Sequence, residues 1–491
     1  MKLAELTAGV DAELHGDDSA EVAGIAYDSR DVAPGTLFFC VPGFSVDGHD
    51  YAAAAVDRGA VALVVERLLD LSVPQLRVSD ARRSMALVAA RWFDDPTREL
   101  TLVGVTGTNG KTTTTFLIRA ALEAAGIRTG LLGTVKQIVG GREEAVVRTT
   151  PEAIDLQRSF RRMLEAGDQA CVMEVSSHAL ALERTVAARF DAAAFTNLTQ
   201  DHLDFHDGID DYFAAKRRLF EPLDPWTEPP RHAVINVADP YGEQLAGELE
   251  ASARTPVTTF SADSGEADFR AKDVAFDARG SRFTCSSREG EIQVRTSLPG
   301  HYNVENSLCA MAVVDALGVG LDTAAEAIRR VTLVPGRLEP VSEGQEFAVL
   351  VDYAHTPDSL ANVLRAARRL TSGRVISVFG CGGDRDRDKR PKMGAIGVEL
   401  SDVAIVTSDN PRSERPEAII DEILTGVGLG SYEVEVDRRR AIARALRLAE
   451  DADTVVIAGK GHEEGQELAD GLKIPFDDRE VARDELRLLS R

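Results

Sequence analysis

Residues 101–126 read TLVGVTGTNGKTTTTFLIRAALEAAG, and this stretch decides the fold class. Its apolar opening predicts a short buried strand, Gly107 and Gly110 predict a loop, and the residues from Lys111 predict a helix that Gly126 stops. Strand, glycine loop and helix in that order open a βαβ nucleotide-binding domain. In such a loop, backbone N–H groups and the helix N-terminus cradle phosphates, Lys111 neutralises the β/γ oxygens, and the Thr112 hydroxyl is a Mg²⁺ ligand. Gly107, Thr108, Asn109, Gly110, Lys111, Thr112 and Thr113 are therefore the candidate phosphate site. The general pattern asks for glycine at position 105, where this chain has Val105.

Working outward, the chain has 491 residues, with 56 Lys and Arg against 80 Asp and Glu and a formal net charge of −24. That length predicts roughly three domains of ~150 residues. The acidic balance argues against a nucleic-acid or anionic-membrane partner, because both would be repelled. The amino terminus lacks an uninterrupted apolar stretch and nowhere do about 18 apolar residues run together, so neither a signal peptide nor membrane insertion is expected. Cys40, Cys171, Cys285, Cys309 and Cys381 are odd in number and widely spaced without CxxC, which reads as reduced thiols in a cytoplasmic protein.

The polar FDDPTREL before residue 101 places one domain boundary near 97, and the change from AAEAIRRV to TLVPGRLEPV places another near 333. The expected domains are thus 1–97, 98–333 and 334–491. The first holds strand-like LFFCV and alanine-rich helical stretches at 51–60 and 82–93, a small α/β domain. In the last, FAVLVDY, VISVFG, VAIVTS, YEVEV and TVVIAG alternate with helical patterns such as SLANVLRAARRL and RRRAIARALRLAE. That alternation predicts an α/β fold with a doubly wound, mostly parallel sheet whose ligands lie beyond the strands' carboxyl ends.

Polar residues at strand ends are the next candidates. DQACVMEVSSHAL predicts a strand ending in Glu174, where a P-loop domain places a further Mg²⁺-binding acid. Residues 195–220 are dense in Asp and His without a thiolate, which favours magnesium over zinc. Read from the residues alone, Lys216 is an ordinary helix-surface lysine rather than a chemical one, although its spacing does not decide between the two. Thr149-Thr150-Pro151-Glu152 reads as a helix start with Thr150 as N-cap and Pro151 at the first helical position. Gly382-Gly383-Asp384-Arg385-Asp386-Arg387 reads equally well as a solvated charged loop.

Six motifs occur in the order and rough spacing of the Mur ligase family: Gly107 to Thr112; Glu174 with Ser176-Ser177-His178; Asp201-His202-Leu203-Asp204; Gly300 to Asn306; Gly336-Arg337-Leu338-Glu339; and Asp352 to Pro357. The chain resembles that family from about residue 28 to 463. The resemblance implies three domains: an amino-terminal one for a uridine nucleotide, a central P-loop ATPase, and a carboxy-terminal Rossmann-like domain for an amino acid. It implies ATP-driven formation of an acyl phosphate on a carboxylate, then attack by an amine with loss of phosphate. It also implies two Mg²⁺ ions, with Thr112 and Glu174 on one and His202 on the other, and carbamylation of Lys216 to a metal-binding anion. Lys111, Glu174, His202 and Lys216 would be the catalytic set.

By the same resemblance, Asn303 and Asn306 belong to the adenine side, Arg337 to the nucleotide, and Asp352 and His355 to the segment that closes on it. Ser29, Phe44, Ser45, Val46, Thr149, Thr150, Ser176 and Arg184 match contacts to a UDP-N-acetylmuramoyl-L-alanyl-D-glutamate substrate. Asp409-Asn410-Pro411-Arg412, with Asp28-Ser29-Arg30 and Asp47-Gly48, is similar to the members that add meso-diaminopimelate. There Arg385 and Arg412 suit the distal carboxylate, and Glu463 with the Gly459 carbonyl suits the ammonium. Ala238 and Tyr27 depart from the family pattern. The competing readings are the same chemistry with L-lysine or another diamino acid, folylpolyglutamate synthase, or a P-loop switch protein. A monomer is expected.

Overall fold

The computed structural model describes residues 1–43, 46–222, 227–263, 265–277 and 279–489. Two compact units emerge: Met1–Thr106 with Gly126–Ala193 and Ala215–Ala233, and Gly107–Ala125 with Ala194–Ala214 and Val234–Arg491.

In the first unit, an amino-terminal sheet has the order Ala12–His15, Gln75–Val78, Ala60–Val65, Thr36–Phe39, Gly24–Ala26. Alternation with period two divides its side chains. Leu37, Phe39, Val64 and Leu76 pack with Met85 and Val88 of the helix Ala81–Trp92, while Phe38, Leu63 and Val65 pack with Ala52 and Ala55. The helix expected over 51–60 is shorter, Ala52–Asp57, because Gly59 turns at φ +104° and Ala60 already begins a strand. Farther on, Ala170–Glu174 pairs in parallel with both Thr101–Thr106 and Thr129–Leu132, and antiparallel strands Gln137–Val139 and Arg142–Glu144 follow. Every residue of Ala170–Glu174 is buried, as expected of a strand covered on both faces.

In the second unit, the helices Lys111–Ala124 and His301–Ala316 pack together, and the latter also packs on the strands Val257–Ser261, Phe269–Asp277 and Gly280–Ser287. Phe269–Asp277, Gly280–Ser287 and Gly290–Thr296 form an antiparallel meander that the sequence reading did not anticipate. The carboxy-terminal sheet runs Glu339–Pro340, Ala348–Asp352, Thr454–Ala458, Val375–Phe379, Val403–Val406, Tyr432–Val434; all its pairings are parallel except the first.

Helices cover both faces of this sheet. Leu350, Phe379, Val406 and Val456 pack with Leu360, Leu364, Met393 and Ile420, whereas Val351, Val378, Ile405 and Ile457 pack with Ile442, Leu446 and Val481. This doubly wound arrangement matches the expected fold class and brings the loops after residues 352, 379, 406 and 458 to one edge. All five cysteines are buried and free. Among the described residues, no helix is long and apolar enough to cross a membrane.

Candidate active site

The strand Thr101–Thr106 leads directly into the loop Gly107–Gly110 and the helix Lys111–Ala124. Val105 is tolerated because it lies inside the strand, fully buried, with its carbonyl accepting from Val175 N at 2.8 Å. The glycine requirement falls two residues later. At Gly107, φ is +144° and a Cβ would sit 1.9 Å from Thr196 Oγ1; at Gly110, φ is +85° and a Cβ would sit 2.4 Å from Asn306 Oδ1. The loop is held from outside: Thr108 N donates to Asn197 O at 2.8 Å, Asn109 N to Asn197 Oδ1 at 2.9 Å, and Asn109 Nδ2 to Asp358 Oδ2 at 2.9 Å. Lys111 Nζ donates to the Gly107 and Thr108 carbonyls at 2.9 and 2.8 Å, which fixes its charge across the loop.

Two predicted residues back this loop. Asn306 accepts from Thr114 Oγ1 at 3.3 Å and donates to Asn303 Oδ1 at 3.1 Å, while Asn303 donates to Pro299 O at 2.8 Å. Arg337 reaches the same place from the turn before the third sheet: its Nη2 donates to Thr112 Oγ1 at 2.9 Å, and its guanidinium lies 4.8 Å from the Tyr353 ring centroid. Asp352 does not reach out. Its two oxygens accept from Leu338 N at 2.7 Å and Ala354 N at 2.8 Å, so it fixes the turn that carries Arg337. Burial pushes this carboxyl up, and Arg337 with the two N–H groups only partly offsets that.

His202 has φ +56°, and its Nε2 lies 3.3 Å from Asp201 Oδ2. Asp201 is buried, with Lys389 Nζ at 3.7 Å and His355 Nε2 at 3.8 Å. Burial alone would raise its carboxyl, but His202, His355 and Lys389 outweigh it and hold the group well below the usual range. His355 Nδ1 is 2.8 Å from Tyr353 O, which orients the ring.

The first unit carries its own group. Glu174, buried at its strand end, accepts from Thr134 N and Oγ1 at 2.8 and 3.1 Å, and Thr134 Oγ1 lies 3.0 Å from Thr149 Oγ1. A Cβ on Gly133 would sit 2.6 Å from Glu174 Oε1. Thr150 is not an N-cap: the helix is Ala153–Glu165 with Glu152 as its cap, and Thr150 Oγ1 donates to Glu174 O at 2.8 Å and lies 3.1 Å from Ser176 N. Arg184 donates to Thr150 O at 3.1 Å and pairs with Glu152 at 2.7 Å. Lys216 is no surface lysine; it is 1% exposed on the helix Ile209–Arg217. Ser29 opens a short 3₁₀ turn capped by Asp28, and Val46 is exposed; Phe44 and Ser45 lie outside the described residues.

The loops beyond the third sheet gather the amino-acid candidates. Arg412, with φ +50°, donates to Gly383 O at 2.8 Å and to Glu467 Oε2 at 2.8 Å. Asn410 donates to Glu463 Oε2 at 2.9 Å. Pro411 is buried beside them, and Gly459, at φ +125°, is close enough that a Cβ would stand 3.5 Å from Asp409 Oδ2. Arg385 is tied to Asp384 O at 2.9 Å. The 382–387 loop is not simply solvated, because the wholly buried Arg390 pins it through Gly382 O, Glu414 and Glu422.

Family models match three stretches: "Mur ligase family, catalytic domain" residues 21–95, "Mur ligase middle domain" residues 105–314, and "Mur ligase, glutamate ligase domain" residues 336–461. The chain belongs to the Mur ligase family. As a Mur ligase it is an ATP-dependent, amide-forming enzyme of peptidoglycan precursor synthesis. It is 48% identical to the UDP-N-acetylmuramoyl-L-alanyl-D-glutamate–2,6-diaminopimelate ligase of Gloeobacter violaceus, over 99% of this chain and 98% of that one. It is 43% identical to the ligase of the same name from Clostridium perfringens, over 99% of each chain. A solved structure of a UDP-N-acetylmuramoyl-L-alanyl-D-glutamate–2,6-diaminopimelate ligase aligns with TM-score 0.69 and 30% identity, covering 100% of this chain and 99% of that one.

Sequence reasoning about this Mur ligase missed Thr134, Asn197, Lys389, Arg390 and Lys460. Only Lys460 carried a signal as a cation between two glycines just past a strand, and Lys389 and Arg390 as cations opening the helix after the charged 382–388 loop. Among the described residues, no group of three or more His, Cys, Asp and Glu forms a metal cage. Mg²⁺ is held by one or two carboxylates plus substrate phosphates. In the first unit the Glu174 carboxylate, and in the second the Thr112 hydroxyl, is an oxygen donor of the kind it takes.

Proposed function

We propose that this Mur ligase adds meso-2,6-diaminopimelate to the D-glutamate γ-carboxylate of UDP-N-acetylmuramoyl-L-alanyl-D-glutamate. The observation that carries the proposal is that the loops beyond the carboxy-terminal sheet hold both a planar cation, Arg412, and an acid, Glu463, the acid bonded to Asn410 of the same Asp409–Arg412 segment. The distal centre of diaminopimelate needs such a pair for its carboxylate and its ammonium. Lysine would use only the acid.

In this reading the domains are 1–97, 98–333 and 334–491, and the P-loop holds the ATP phosphates while Lys111 neutralises developing charge. Thr112, Glu174, His202 and Lys216 as a carbamate would hold two Mg²⁺ ions, which supply charge neutralisation between carboxylate and polyanion. Arg337 orients the nucleotide, with Asn303 and Asn306 on its adenine side. Thr149, Thr150, Ser176 and Arg184 position the peptide so that the γ-carboxylate meets the γ-phosphate, and Ser29 with the 44–46 loop serves the uridine. The diaminopimelate amine then attacks the acyl phosphate and phosphate leaves. We assign the protein to the cytoplasm as a monomer.

The test is phosphate release with the UDP-muramoyl-dipeptide, ATP and a panel of diamino acids. Preference for meso-diaminopimelate supports the proposal. Preference for L-lysine would reassign the amino acid, and glutamate addition to a folate would replace the reading with folylpolyglutamate synthase.

A further inference from the structure

Lys460 is a cation with no assigned part in the reaction, and its side chain is 0% exposed. Its Nζ lies 2.7 Å from Asn410 Oδ1, 3.0 Å from Glu463 Oε2 and 3.5 Å from Asp409 Oδ1. Asn410 also donates to that same Glu463 oxygen and accepts from Glu467 N at 3.0 Å. One buried ammonium thus sets the orientation of the amide and the acid that face the amino acid. Asp409 Oδ1 is buried and has no hydrogen bond. A buried acid in that state depends on nearby cations, and Lys460 leads Arg438, His355 and Arg412 in overcoming the burial that would raise it.

Lys460 is thus the cation set between two acids of these loops, Asp409 and Glu463. Without that cation an extra anion would stand beside Glu463, which suits the single cation of a lysine side chain better than a zwitterionic distal centre.

We propose that Lys460 is a specificity-determining residue: wholly buried and out of substrate reach, it orients Asn410 and Glu463 and supplies the cation that offsets Asp409 and Glu463, so that a zwitterionic diamino acid is preferred over a cationic one. The inference builds on the diaminopimelate reading above. It makes Lys460 a positioning residue and not a group that touches substrate.

The experiment measures kcat/KM for meso-diaminopimelate and L-lysine on the full-length wild type, Lys460→Met, Lys460→Gln and Lys460→Arg, with ATP and the UDP-muramoyl-dipeptide saturating. Where lysine turnover is slow, its inhibition constant against diaminopimelate replaces it. Lys460→Met is expected to lower the diaminopimelate-to-lysine ratio by about tenfold or more, and Lys460→Arg to keep it within about threefold. If Lys460→Met does not fold, Lys460→Gln, which removes the charge and keeps a hydrogen-bonding group, is read in its place with the same expected fall. Equal losses for both substrates in the uncharged variant would overturn the proposal. A wild type that does not ligate diaminopimelate at all would instead overturn the substrate reading.

Discussion

Asp352→Asn separates two roles for a residue at the end of a core strand. The carboxylate accepts from Leu338 N at 2.7 Å and from Ala354 N at 2.8 Å, one per oxygen. An amide keeps one acceptor and turns an NH₂ toward the other N–H. One hydrogen bond to a charged acceptor is lost, worth about 1.5–3 kcal/mol. At ~1.4 kcal/mol per tenfold this corresponds to roughly 10- to 150-fold. Because the loosened turn carries Arg337, whose Nη2 meets Thr112 Oγ1, the loss should appear in kcat/KM for ATP, with the diaminopimelate KM little changed. The decisive assay is a cycle of Asp352→Asn, Arg337→Ala and the double variant. If Asp352 acts through Arg337, Asp352→Asn adds little once the arginine is gone. Additivity within about 0.5 kcal/mol would refute the reasoning and return Asp352 to a direct nucleotide contact.

Lys216→Ala should nearly abolish turnover, and millimolar short-chain carboxylates should restore part of it by standing in for the carbamate; near-normal activity would remove Lys216 from the site. Arg412→Ala should lose about 30- to a few thousand-fold in kcat/KM for diaminopimelate, from a ~2–5 kcal/mol charge-pair truncation, with little change for lysine; equal losses would mean that Arg412 only supports its loop. Hydrogen bonds from Arg390 push Glu414 down to about 2, below its usual glutamate value. With the folded value depressed, its contribution is complete above about pH 4.5 and is lost as pH falls toward 2. The Tm advantage of wild type over Glu414→Gln should therefore shrink with acid across that window, and an advantage that grows would contradict the pairing.

The strands of the third sheet were legible because parallel strands covered on both faces become continuous apolar runs, as in TVVIAG and VISVFG. The P-loop was legible because its glycines answer local backbone demands, although only the structure shows that Gly107 meets Thr196 and that position 105 needs no glycine. Lys216 was misread as exposed because helical spacing says nothing about what covers a face, even though buried Tyr212, Phe213, Leu219 and Phe220 surround it in sequence. The 382–387 loop read as solvated because Arg390, which pins it, finds its partners Glu414 and Glu422 in a distant part of the chain. Thr150 scored as a helix cap on local chemistry, and a strand-end carbonyl won its hydroxyl instead. The 269–296 meander escaped because its strands are mixed in polarity and half exposed.

The five buried cysteines also make the chain a set of built-in reporters. Burial pushes the thiols of Cys40, Cys285 and Cys381 up to about 12, and those of Cys171 and Cys309 up as well. Thiolate is the reactive form, so alkylating reagents meet an inert native molecule at neutral pH. Each thiol becomes accessible only when its own surroundings open: Cys40 after an amino-terminal strand, Cys171 in the strand leading to Glu174, Cys285 in the meander, Cys309 in the helix behind the P-loop, Cys381 before the Arg385 loop. Pulsed alkylation read by peptide mass would therefore rank the opening of these regions in the unmodified protein, without any engineered label.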